Sequence, residues 1–172
     1  MKKLMLLLAI VGGSIYANAQ ISEGDSMITV AVGVSPTFYS GSGFEASLPP
    51  VEAAYEYAIS DKITVGGFAG IATAEFRNAG FGFDYTYILA GGLGNYHFVN
   101  SETFDVYVGA KLGYVNVSSK EVGTAFGISA ESSGVLFGGQ LGARYWITET
   151  IAINAEAGYG VSAFRVGVTF GI

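Results

Sequence analysis

The sequence predicts an all-β fold, an eight-stranded antiparallel up-and-down transmembrane β-barrel. Three observations predict it. Alternating apolar and small or polar residues recur in eight segments along the chain, and a period of two belongs to strands. Only 13% of the residues are charged, against about 25% in an ordinary soluble domain. Beyond the first residues no apolar run approaches the roughly 20 residues that a spanning helix needs. A closed barrel is the other structure that satisfies every backbone group inside a bilayer.

The N-terminus predicts export. Met1-Lys2-Lys3 is a short basic region, Leu4 to Gly13 is an apolar core, and Ala17-Asn18-Ala19 is a small-x-small cleavage pattern. The expected organisation is a cleaved signal peptide over residues 1–19 and one barrel domain over 20–172, a mature chain of 153 residues (172 − 19). Without cysteine, the chain has neither a disulfide framework nor a site for lipid attachment at cysteine. The formal charge is −6, and loss of Lys2 and Lys3 takes it to −8. That balance argues against nucleic acid, whose phosphates require basic patches.

The strands follow in order. Residues 27–34 put Ile28, Val30, Val32 and Val34 on one face, and 51–59 put Val51, Ala53, Tyr55, Tyr57 and Ile59 there. Residues 63–72 follow the turn Ser60-Asp61-Lys62. The segment 83–98 has two competing registers: Tyr85, Tyr87 and Leu89 lead one face, Tyr96 and Phe98 the other, and a bulge would reconcile them. Residues 104–115, 135–147 and 151–159 alternate clearly, and 164–172 closes the set with Phe164, Val166, Val168, Phe170 and Ile172 on one face. Eight segments leave about nineteen residues per strand and connection, which suits spanning strands of roughly 9–11 residues.

Connections alternate in length. Ser60–Lys62, Asn100–Glu102 and Thr148–Thr150 read as tight turns; 35–50, a stretch near 74–82 and another near 117–134 read as loops, and the reversal at Tyr159–Ser162 is barely one. Short turns on one side and longer loops on the other are the pattern of a bacterial outer-membrane barrel. The face opposite the apolar one is mostly Gly, Ala, Ser and Thr. A water-facing surface would carry many charges, so the apolar face points outward and the small residues line a narrow lumen. A secreted lipocalin-like ligand-binding barrel, with the faces reversed, is the rival arrangement. Tyr57, Phe104, Tyr145 and Phe170 are the expected aromatic girdle on the turn side, and Tyr55, Tyr85, Tyr114, Tyr159 and Phe164 on the loop side.

"RVGVTFGI" at the end of the chain resembles the C-terminal recognition signal of outer-membrane barrel proteins, with Arg165, Gly167, Phe170 and Ile172 in its places. Many members end in phenylalanine, so Ile172 is a departure. With "GGLGNYHF" followed by "FDVYVGAKLGY", the whole expected mature chain resembles the small barrels of the OmpA/OmpX type. The resemblance implies residence in the outer membrane of a Gram-negative cell, contact with its lipid and recognition by the barrel insertion machinery during biogenesis. The loops read as shorter than the strand-like protrusions of the family's adhesive members.

Alternation places Glu52, Glu56, Asp84, Asp105 and Glu156 in the lumen with Lys111, Arg144 and Arg165. Such a luminal polar network acts either as a plug of satisfied buried charge or as a conduction path, and five acids against three bases would favour cations. Enzymatic barrels of this size need a histidine near a serine at the outer rim. The only histidine, His97, lies beside the Asn100–Glu102 turn on the opposite side and reads as a girdle or turn residue. The expectation is therefore no catalytic residue, no metal site and no cofactor. Phe38, Tyr39 and Phe44, in loop 35–50, are the candidates for contact with a surface ligand. The expected function is a non-catalytic outer-membrane component contributing to envelope integrity or surface interaction. A narrow cation-preferring pore is the alternative.

Overall fold

The computed structural model describes residues 20–37, 44–45, 47–78, 81–123 and 129–172. The expected signal peptide, Phe38 and Tyr39 lie outside the described residues. Nine strands follow one another: β1 (Ser26–Pro36), β2 (Phe44–Glu45), β3 (Val51–Ser60), β4 (Ile63–Asn78), β5 (Phe81–Asn100), β6 (Phe104–Val122), β7 (Ser129–Trp146), β8 (Ile151–Tyr159) and β9 (Ser162–Gly171). All pairings are antiparallel. Eight strands form a closed up-and-down ring in which β1 pairs with both β3 and β9, and the two-residue β2 adds to the outer part of β4. The C-terminal strand is thus a wall of the barrel and not a loose edge.

The register fixes the barrel's geometry. A path perpendicular to the strands runs from Ser26 through Tyr57, Val65, Gly94, Ala110, Gly139 and Tyr159 to the β8–β9 turn. Beyond that turn Ser162 pairs with Pro36, ten residues further along β1 than the start (36 − 26). A stagger of this size in eight strands goes with a tilt of roughly 35–45° and an interior just wide enough for side chains to fill.

The outer wall is apolar. Ile28, Val30, Val32, Val65, Ile71, Ile88, Val108, Leu112, Leu141, Ile153, Val166 and Val168 all face outward and exposed, while the polar side chains turn inward. This arrangement excludes the lipocalin-like alternative, whose apolar face would be enclosed. Tyr57, Phe104, Tyr145 and Phe170 stand outward near the turns, and Tyr114, Tyr159 and Phe164 toward the other rim. Two expected girdle residues are placed differently. Tyr55 reaches down to bond Ser26 at the start of β1 (hydroxyl to hydroxyl, 3.0 Å), so it belongs to the turn side. Tyr85 is half-buried on the inner face and stacks on Tyr87, ring centroids 6.5 Å apart.

Expected loops near 74–82 and 117–134 are largely strand. β4 continues to Asn78, β5 begins at Phe81, β6 reaches Val122 and β7 starts at Ser129. Pairing persists there while the outward row turns polar: Thr73 opposes Thr86, Glu75 opposes Asp84, and Asp84 opposes Lys120. Alternation of apolar with polar residues, the signal a sequence offers, vanishes where both faces become wet. The twenty residues of β5 extend about 65 Å along the strand, far more than a tilted crossing of an apolar band about 25 Å tall requires. The upper parts of β4–β7 therefore rise past the membrane as a four-stranded sheet, and the expectation of short loops is corrected.

The competing registers of β5 resolve into one. Tyr87, Leu89, Leu93, Asn95 and His97 are buried inside, and Ile88, Tyr96 and Phe98 face out. The single irregularity lies between His97 and Val99, at the turn end of the strand.

Candidate functional site

Three layers fill the lumen. At the turn side Ile21, Met27, Ala58, Trp146 and Ala152 form an apolar cluster. At the other end Phe68, Ala72, Ala74, Tyr87, Leu89, Leu93, Leu136 and Val161 form a second. Between them lies a polar network. Seven of the eight residues that alternation assigns to the lumen, Glu52, Glu56, Asp105, Lys111, Arg144, Glu156 and Arg165, are buried within it.

The lower half of the network is a closed cycle over five successive ring strands. Glu56 on β3 accepts from Thr64 Oγ1 on β4 (2.7 Å). Thr64 contacts His97 Nε2 on β5 (3.1 Å), and His97 Nδ1 bonds Asp105 on β6 (2.7 Å). Asp105 pairs with Arg144 on β7 (3.1 Å), and Arg144 returns across the lumen to Glu56. Arg144 also lies over the Tyr107 ring, 4.4 Å from its centroid. Gly142 makes room for that ring, which a Cβ at this position would strike.

The upper half is joined to it through amides. Asn95 donates to Glu56 (2.7 Å), Gln140 donates to Asn95 (2.7 Å), and Arg165 donates to Gln140 (3.3 Å). Arg165 grips Glu156 through Nε and Nη2 (2.9 and 2.6 Å), and Glu156 accepts from the Tyr107 hydroxyl. Lys111 pairs with Glu52 and lies 4.9 Å from the centroid of the Phe68 ring. Burial at this depth requires such pairing, since an unpartnered charge in low dielectric is strongly unfavourable.

Several sequence expectations are corrected. Asp84 is not luminal: it lies on the outward face of the protruding sheet, where Arg77 bridges it (2.7 Å) and Glu75 (2.9 Å). The Asp84 hydrogen bond raises the Arg77 guanidinium above its ordinary range. Among the described residues the lumen thus holds four acids and three bases, not five and three. His97 is neither girdle nor turn residue but a buried link in the lower cycle. Thr64 and Asn95 also belong to the network; with Tyr96 and Phe98 on the outer face, alternation alone would have placed Asn95 and His97 inside.

Asp105, His97 and Thr64 stand in the order of a nucleophilic triad. Thr64, however, donates to Glu56, and all three side chains are 0–1% exposed. No substrate reaches them in this arrangement. Among the described residues no group of three His, Cys, Asp or Glu has the arrangement to hold a metal ion.

The remaining candidates lie apart from the network. In the terminal strand Arg165 is luminal and Phe170 and Ile172 face outward, with Gly167 packed against β1. Phe44 opens β2 opposite Phe76. On the protruding sheet, β2 covers part of the β4 edge, whereas Ser129–Ser133 of β7 pairs only with β6 among the described residues. That stretch is an open sheet edge.

A family model described as "Outer membrane protein beta-barrel domain" matches residues 5–169. No curated protein sequence matches the chain significantly. Among solved structures, the attachment invasion locus protein Ail of Yersinia pestis superposes with a TM-score of 0.55 at 17% identity, over 87% of this chain and 99% of that one. The outer membrane protein OprG of Pseudomonas aeruginosa gives 0.56 at 15%, over 90% and 98%. The N-terminal β-barrel domain of Pseudomonas aeruginosa OprF gives 0.52 at 15%, over 88% and 100%. At these identities the likeness is one of fold.

Proposed function

The chain belongs to the outer membrane protein beta-barrel family and resides in the outer membrane, and from that premise we propose that it is a non-catalytic surface-interaction protein. Its barrel is the anchor and its protruding sheet the working part. The observation that carries this reading is the open β7 edge at Ser129–Ser133, held above the apolar band by three paired strands. An unpaired edge accepts an extended segment of a partner by strand addition, with main-chain bonds supplying affinity and alternate side chains specificity. The attachment function named for Ail is in keeping with this reading.

The buried network supports a rigid plug more than a conducting path, because its charges are paired with one another and closed off by apolar layers at both ends. Residues 1–19 act in this scheme as a cleaved signal peptide, leaving 20–172 as the barrel. The strand ending in Phe170 and Ile172 serves recognition by the insertion machinery.

An array of extended, β-prone peptides tests the reading. Detergent-folded protein should bind a subset of them. Proline at Glu131 or at Ser132 should abolish that binding; the one whose N–H points away from β6 leaves the sheet intact. Absence of binding from folded protein, with detergent sensitivity in cells lacking it, would shift the function to envelope integrity.

A further inference from the structure

We infer that residues 20–25 form a removable stopper in the turn-side mouth of the barrel, and that its seating keeps water from the lower polar cycle. The two ends of the lumen are closed by different means. At the far end Val161 enters from the β8–β9 turn, whose flanking strands are held in the ring on both sides. At the turn side the buried side chain is Ile21, which belongs to no strand.

This segment is held by a small set of bonds to the turn-side ends of β3 and β5 and to the turn between β3 and β4. Asn100 clamps Ile21 from both sides: its Oδ1 accepts from Ile21 N (3.0 Å) and its Nδ2 donates to Ile21 O (2.7 Å). Glu23 N donates to Asp61 Oδ1 (3.0 Å), Gly24 N donates to Ala58 O (2.9 Å), and Ala58 N donates to Asp25 O (2.8 Å). Gly24 turns the chain with φ 97°, in the left-handed region that glycine enters without penalty. Releasing the segment breaks these bonds and uncovers Ile21 while the ring's own pairings stay intact.

The layer beneath is prepared for water. Trp146 and Met27 pack with Ile21, and Arg144 Nη1 lies 3.7 Å from the Met27 sulfur. Trp146 Nε1, Arg144 Nε and Asn154 Oδ1 are buried without a protein partner. Arg144 and Asn154 are direct cross-strand neighbours and Trp146 is next on the same face. Two donors and an acceptor left unsatisfied favour hydration once a route opens. An unseated Ile21 opens it as a blind vestibule, since the Val161 layer still closes the other end.

Trp146 is the only tryptophan, so its fluorescence reports the stopper directly. In folded protein its emission should be blue-shifted and protected from acrylamide. The chain has no cysteine, so Glu23→Cys with Asp61→Cys gives a lockable pair in one protein. Oxidised, it should keep the protection. Reduced, with the Asp61 acceptor gone, it should show a red shift and stronger quenching, while heat-modifiable migration reports an intact barrel. Ile21→Ser should repeat the reduced result without any cross-link. Equal quenching in the locked and reduced forms, or a readily quenched Trp146 in the unmodified protein, would overturn the inference.

Discussion

Arg144 and Glu56 stand on diametrically opposite strands of the ring, β7 and β3, and their ion pair closes a cycle that runs through Thr64, His97 and Asp105. Each strand of that half of the barrel contributes one member. Arg144→Met leaves Glu56 and Asp105 facing each other with no cation between them. Removing one partner of a buried pair costs about 3–5 kcal/mol, so the variant should unfold at a clearly lower urea concentration in lipid vesicles. Adding Glu56→Gln should recover part of that loss.

Glu156 receives Arg165 twice and the Tyr107 hydroxyl once. Glu156→Gln keeps the shape and removes the charge, leaving Arg165 to share Glu52 at 3.7 Å with Lys111. Hydrogen bonds to charged groups contribute about 1.5–3 kcal/mol each, and a destabilisation of about 3 kcal/mol is expected from urea titration.

The height of the lipid band is set by the change along the outward rows. On β6 that row runs Phe104, Val106, Val108, Ala110, Leu112 and Tyr114, then turns polar at Asn116 and Ser118. Val108→Arg should cost about 2–4 kcal/mol, and Ser118→Arg about 0–1, because the penalty falls toward the interface. Equal costs would place the band elsewhere.

Much of this architecture was legible in the sequence wherever one face met lipid and the other the lumen. The ends of β3, β8 and β9 differ from the expected ones by at most two residues. Luminal placement of Lys111, Arg144 and Arg165 followed from the same alternation. The protruding sheet was not legible, because Thr73, Glu75, Thr86, Ser118 and Glu131 face water and carry no apolar stripe. Asp84 was misplaced for that reason. His97 was misread because proximity to a turn in sequence does not reveal the face, and the irregularity beside Val99 sits between it and the turn. The stopper was invisible as well: Ile21 is one apolar residue among polar ones, and only the closed ring gives it a pocket.

The terminal strand offers a biogenesis test. Phe170 and Ile172 face outward, where the insertion machinery would meet them. Phe170→Ala should reduce the amount of folded protein recovered from outer membranes, whereas Ile172→Phe should raise it. Unchanged recovery for both would remove this strand from the recognition step.

A paired, sealed lumen should not pass ions. Single-channel recording of refolded protein in a planar bilayer tests it most directly, with heat-modifiable migration confirming the fold. A sealed plug leaves the bilayer electrically silent, with and without Glu156→Gln. Discrete, cation-selective steps whose selectivity shifts in that variant would contradict it and make the luminal charges a conduction path.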